Sequence, residues 1–317
     1  MDARGGPSDR AYAGAVPDSR RGLLFGIGAY TLWGAFPLYF PLLQPAGAME
    51  ILAHRVLWSC LVMAVVVVVL RRRAQLRALF RRTRATAILA AAAAVVSVNW
   101  LTYIWAVNHD HVVESSLGYF INPLVSVVMG ILVLGERLRS TQWVALSIAV
   151  LAVAVLAVDY GRLPWIALVL AFSFGTYGLA KKLAGVGAVE SLSFETMLIA
   201  PVAAVYVLFL ASRGDLTFAT GGTGHALLLA STGVATAVPL VMFGAAAVRL
   251  PLVTVGLLQY LAPVFQFAIG VLVFHEPMPT GRWVGFVLVW VALAVFAAEA
   301  VTHRRRQLRD AAEAVAC

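Results

Sequence analysis

Ten stretches of about 20 apolar residues, joined by short connections, decide most of what this chain can fold into. At 1.5 Å rise per residue a helix of that length crosses a hydrocarbon layer of about 30 Å. Inside that layer every backbone N–H and C=O has to be bonded within the protein, which a helix achieves and an irregular segment does not. The spans expected from the sequence are 22–43, 48–70, 85–107, 112–134, 141–158, 164–181, 191–211, 224–248, 252–274 and 281–300. Composition excludes a water-soluble globule: 62% of the 317 residues are hydrophobic and 12% are charged, too little polar surface to cover one. The fold class that follows is an all-α integral membrane protein with ten transmembrane helices. Residues 1–21, rich in Gly, Pro and charge and without an apolar stretch, read as a disordered cytoplasmic tail and not a signal peptide. Residues 301–317 read as a basic cytoplasmic tail.

The formal charge of +9 is explained by where the cations lie. With both termini cytoplasmic, the inner face collects Arg4, Arg10, Arg20, Arg21, the run "RRRAQLRALFRRTR" at 71–84, Arg137, Arg139, Lys181, Lys182, Arg249, Arg304, Arg305, Arg306 and Arg309, which is 20 of the 24 basic residues. That asymmetry predicts a multi-pass protein of the cytoplasmic membrane, N-in and C-in. The basic run at 71–84 faces anionic headgroups, so the lipid bilayer and not a nucleic acid is the partner of these cations. Cys60 and Cys317 form no disulfide framework.

A repeat organises the spans. Pro123, Gly130, Glu136 and Trp143 are matched by Pro263, Gly270, Glu276 and Trp283 at a constant offset of 140 residues. Ten spans thus divide into two units of five, 22–158 and 164–300, and an odd number of spans in each unit turns the second upside down relative to the first. Inverted repeats are a device of secondary transporters, in which a site at the mid-membrane interface opens to either face as the units rock. Pro123 and Pro263 each remove a backbone donor, which predicts a disturbed helix turn and places the fourth and ninth spans at the unit interface. Gly130 and Gly270 predict close helix approach, and Glu136 and Glu276 read as boundary residues at headgroup level.

Three motifs carry a family resemblance: "HRVLWS" at 54–59, "NWLTYIWAVNHDHVVESSLGYFINPL" at 99–124 and "GLLQYLAPVFQF" at 256–267. They closely resemble the RarD group of EamA-type proteins in the drug/metabolite transporter superfamily, over essentially the whole chain outside its tails. The resemblance implies two EamA repeats, a permease role in the cytoplasmic membrane, and a fifth and tenth helix outside the transport core. The group carries a label of chloramphenicol sensitivity, and its physiological substrate is poorly defined.

An ionisable side chain at mid-membrane costs about 3 kcal/mol on insertion scales, so each one needs a reason. In the second span Glu50, His54 and Trp58 share a helix face and Arg55 lies about 10 Å below the outer end. Glu114 or Glu50 is the expected partner of Arg55. Glu195 stands at Arg55 plus 140, with a cytoplasmic-side cation or a proton as its expected partner. Glu195, His54, Glu114 and Glu50 are the candidates for proton coupling. Asn99, Trp100, Tyr103, Asn108, Tyr119 and Asn122, with Gln259 and Tyr260 at the repeat-related position, supply the amides, phenols and aromatic walls that a pocket for an amphipathic organic solute needs. Arg55 with Asn99, Trp100, Tyr103, Tyr119, Asn122, Gln259 and Tyr260 is the expected substrate site. Interhelical hydrogen bonding is the alternative role for each amide and phenol.

"HDH" at 109–111 lies in a short outer loop without a further His or Cys to complete a metal site. No nucleotide-binding motif is present, so neither a cofactor nor a metal is expected and energy comes from a gradient or not at all. "GRWVG" at 281–285 packs the tenth span on a neighbouring helix or on a second protomer of a homodimer. The function expected is a permease for a small organic solute. The alternatives are a non-transporting membrane partner subunit and a membrane enzyme acting on lipid-linked substrates, which would need a catalytic constellation of a kind not found here.

Overall fold

The computed structural model of the chain describes residues 15–134, 139–247, 249–250 and 252–316. The expected tail over 1–14, the boundary residue Glu136 and Cys317 lie outside the described residues. Among the described residues the secondary structure is helical, without a strand. Helix α1 (Ala15–Gly34) is continued, after a bend of 44°, by the short helix Phe36–Tyr39 and a 3-10 turn, Phe40–Leu43. There follow α2 (Ala48–Val69), α3 (Thr83–Asn108), α4 (Val112–Leu134), α5 (Ser140–Tyr160), α6 (Trp165–Ala184), α7 (Ala188–Arg213), α8 (Gly222–Ala247), α9 (Leu252–Leu258 and Leu261–Leu272) and α10 (Thr280–Ala316). Among the described residues nine helices are singly long and apolar enough to cross a membrane, and the bent α1 pair makes ten. Large apolar side chains such as Val158, Val202 and Leu208 lie open on the outside of the bundle, as a lipid-facing surface requires.

Sequence chemistry sets the ends. Gly161 and Gly185 terminate α5 and α6 at φ of 63° and 58°, a left-handed backbone that glycine adopts without a Cβ penalty. Helix α1 begins at Ala15, earlier than the expected 22, with Pro17 in its first turn, where a missing N–H costs no bond. Helix α10 runs on to Ala316, past the expected 300. The two expected proline disturbances differ. Helix α4 continues unbroken through Pro123, a correction to the expected disturbed turn: a single missing donor is absorbed within a long, well-packed helix. Helix α9 does break, at Gln259 and Tyr260, so that Pro263 falls in the first turn of the second segment, where no donor is needed.

Helix pairing shows a regular plan. Helix α5 packs along α10, α3 along α6, α1 along α8, α4 on α6, α1 on α9, α2 on both α7 and α8, α7 on α3, and α4 on α9. Exchanging α1–α5 with α6–α10 in order turns this set of pairs into itself. Two contacts are backbone-close. A Cβ on Gly118 of α4 would lie 2.7 Å from the Ala167 carbonyl oxygen of α6, and one on Gly233 of α8 would lie 2.6 Å from that of Trp58 in α2. Gly270 likewise abuts Val112 and Val113 at the start of α4. Gly281 and Gly285 face Asp159 and Leu156 of α5, so the "GRWVG" motif packs α10 on a neighbouring helix of the same chain.

Candidate functional site

Arg55 is the most buried Arg or Lys among the described residues. Arg55 on α2 is 5% exposed, and its Nε donates to Thr236 Oγ1 of α8 at 3.0 Å. The guanidinium lies over the ring of Trp100 (α3) at 4.3 Å, with Phe36 at 5.5 Å and Phe40 at 5.8 Å. Its titratable neighbours are the phenols of Tyr119, Tyr103 and Tyr39. Arg55 thus sits in an aromatic cage made by the bent end of α1, by α2, by α3 and by α4, with the second half of the chain reaching it through Thr236. Neither expected carboxylate partner meets it. Glu114 pairs instead with Arg162 at 2.7 Å and accepts from the Ile166 N–H at the start of α6. Glu50 accepts from the Thr217 N–H and hydroxyl, both at 2.9 Å, and from the Phe218 N–H. Both carboxylates find closer donors at helix starts, where several N–H groups lack intrahelical acceptors. Among the described residues Arg55 therefore has no ion-pair partner.

The amides and phenols divide. Tyr119 donates to Asn99 Oδ1 at 3.2 Å, and Asn99 Nδ2 donates to the Leu170 carbonyl at 3.0 Å and to Ser173 Oγ at 2.9 Å, a network that stitches α3 and α4 to α6. For Asn99 this is the alternative, interhelical role. Tyr103, 3% exposed, stacks edge-on against Phe40 and Tyr119, and its hydroxyl is sealed without a partner among the described residues. Asn122 Oδ1 and Asn108 Oδ1 are in the same condition. Asn122 faces Gly175 of α6. Gln259 and Tyr260 form the break in α9, and Tyr260 packs with the α4, α5 and α10 cluster, not with the Arg55 cage.

The proton-coupling candidates sit apart from that cage. Glu195 is 1% exposed and binds Lys181 Nζ at 2.7 Å and the Tyr177 hydroxyl at 3.0 Å; Lys181, in the last turn of α6, also donates to Ser191 Oγ. Of the two partners expected for Glu195, a cation or a proton, the structure supplies a cation. His54 stacks on Phe218, with centroids 4.8 Å apart, and its Nε2 stands 3.9 Å from Glu50. His109, of the "HDH" loop, stacks on Trp105.

Polar ties close both ends of the bundle. At one end Glu276, in the connection between α9 and α10, accepts from the Val112 and Val113 N–H groups that open α4. Burial pushes its carboxyl up to about 7, against the opposing pull of the Val113 and Val112 amides. At that same end lie the Glu50 and Glu114 caps. At the other, Arg72 reaches Glu190 at 3.3 Å and Arg139 pairs with Glu299. Sequence reasoning missed the cage residues Phe36 and Phe40, Thr236, and the capping role of Glu276. The alternation of aromatics with prolines in "FPLYFP" at 36–41 is the signal that could have marked the first two.

Comparisons with known proteins find transporters among the relatives of this chain. The model of the EamA-like transporter family matches residues 20–158. The Protein RarD of Streptomyces exfoliatus is 58% identical over 292 residues, covering 92% of this chain and 93% of that protein. An uncharacterized transporter of Pseudomonas aeruginosa is 44% identical over 292 residues, covering 92% and 98%. One solved crystal structure, 17% identical, aligns with 86% of this chain and 96% of its own at a TM-score of 0.55, a likeness of fold.

Proposed function

The chain belongs to the EamA-like transporter family, and from that premise we propose that it is a permease, carrying a small organic solute across the cytoplasmic membrane by alternating access. The observation that supports this reading best is the position of Arg55: a buried cation without a counter-ion among the described residues, about 10 Å inside the bundle, where residues of both halves meet. A packing role would favour a neutral side chain at that depth. We read Arg55, Trp100, Tyr103 and Tyr119, joined by Phe36, Phe40 and Thr236, as the solute site. Asn99 holds its walls together, and Asn122, Gln259 and Tyr260 lie on α4 and at the break of α9, the two helices read as the unit interface.

The self-matching pattern of helix pairs and the 140-residue offset support two inverted units, 22–158 and 164–300, that rock about this site. The distribution of basic residues supports N-in, C-in insertion. Glu195, tied to Lys181, is the candidate for coupling to protons; the pairing of Glu114 and the stacking of His54 speak for structural roles.

The test is flux into proteoliposomes of a panel of labelled small organic solutes, chloramphenicol among them. At least one is expected to enter saturably and faster than into protein-free liposomes. Folded protein that moves none of the panel would contradict the permease reading.

A further inference from the structure

We propose that the Arg55 site takes an organic monocarboxylate, with the carboxylate held by the two terminal nitrogens of Arg55 and the apolar body lying among Trp100, Phe36 and Phe40. This inference rests on the reading of that cage as the solute site. Its first support is charge. A cation 5% exposed without a counter-ion among the described residues is costly until an anion joins it, and both carboxylates within reach along the sequence, Glu50 and Glu114, are spent on helix starts and on Arg162.

Geometry narrows the ligand. Thr236 occupies the Nε position and Trp100 covers one face of the guanidinium. What is left is the in-plane end of the fork, Nη1 and Nη2, which make no hydrogen bond among the described residues and match a carboxylate with two parallel bonds. Tyr103 adds an independent sign. Its hydroxyl belongs to a residue 97% buried, is sealed from solvent, and has no partner. Tyr103 is one of the phenols near Arg55, so its unpartnered hydroxyl can donate to an anion seated on the guanidinium.

Composition of the cage fixes the charge and the body. One cation balances one negative charge. A phosphate dianion or a dicarboxylate would bring a second, unpaired charge against aromatic rings, and a cationic solute would meet Arg55 directly. The rings themselves favour an aryl or alkyl body.

The experiment is thermal unfolding of the detergent-purified chain with benzoate, phenylacetate, indole-3-acetate and hexanoate, each beside its neutral amide, and with phenyl phosphate, all titrated to about 10 mM; binding to the folded form alone raises the unfolding temperature in a saturable way. At least one carboxylate is expected to do so, at about tenfold or more lower concentration than its amide and than phenyl phosphate. Arg55→Gln should abolish the shift and Tyr103→Phe should weaken it severalfold. The carboxylate–amide contrast is made on the wild-type chain, so it does not depend on a variant folding. Carboxylates no better than their amides, preference for phenyl phosphate, no shift with any of the four acids, or a shift retained in Arg55→Gln would each overturn the proposal. Saturable flux of a neutral solute in proteoliposomes, with any of those results, would leave the permease reading standing and remove only the monocarboxylate.

Discussion

At the scale of single residues, the proposed function assigns Arg55 to transport and not to the fold. Replacing a buried, unpaired charge with a neutral polar group relieves a desolvation cost. Arg55→Gln should therefore leave the unfolding temperature unchanged or raised, while flux falls by about tenfold or more; the pair of measurements separates a site residue from a structural one. Lys181 gives the opposite expectation. Its loss leaves the Glu195 carboxylate, 2% exposed in its side chain, without a counter-ion, so Lys181→Met should cost about 3 kcal/mol, and adding Glu195→Gln should recover most of that in a double-mutant cycle read by thermal unfolding. Arg55 was visible in the sequence because a cation deep in an apolar span stands out. Of its cage, Trp100, Tyr103 and Tyr119 are legible too, as aromatics that the sequence groups with it, whereas Phe36 and Phe40 are not, because they turn inward only through the 44° bend after Gly34. The Arg55 partner was misread because proximity along a helix says nothing of which helix starts compete for Glu50 and Glu114.

At the scale of helices, the caps and the close contacts carry the testable consequences. The Glu276 carboxyl titrates near 7 when packed on the start of α4 and near 4.3 when solvated, so the packed form binds a proton more tightly than the open form. Its stabilising contribution is then complete at the acid end and is lost as pH rises through about 7. Asp110 pushes in the same direction and Arg282 in the other. Hydrogen exchange at Val112 and Val113 should accordingly quicken between about pH 5 and about pH 8 by more than the intrinsic rate increase, and Glu276→Gln should remove the excess. Near the start of α10, a Cβ on Gly285 would meet the Leu156 side chain, so Gly285→Leu should overpack the α5–α10 contact and cost about 1 to 3 kcal/mol of stability, with solute affinity unchanged if these helices stand outside the moving core. The spans themselves were legible because about 20 apolar residues leave few alternatives. The break in α9 and the unbroken course of α4 are not separable in sequence, since each contains one proline and nothing in the apolar pattern says which helix will bend.

For the whole molecule, the central claim is that two inverted five-helix units rock about the Arg55 site. The 140-residue offset predicts that plan, and the principal helix pairs, α4 on α10 excepted, map onto one another under exchange of α1–α5 with α6–α10, as a repeat of either sense requires. The caps of Glu50, Glu114 and Glu276 at one end and the Arg72–Glu190 and Arg139–Glu299 pairs at the other are ties that would open in turn. The most direct measurement places a single cysteine at Trp100 in a chain whose Cys60 and Cys317 are replaced, and follows its modification by a membrane-impermeant thiol reagent applied to either face of sealed vesicles. Alternating access predicts modification from both faces, each rate falling when the opposite end is held open by a cross-link. Modification from one face alone, or from neither, would contradict the account.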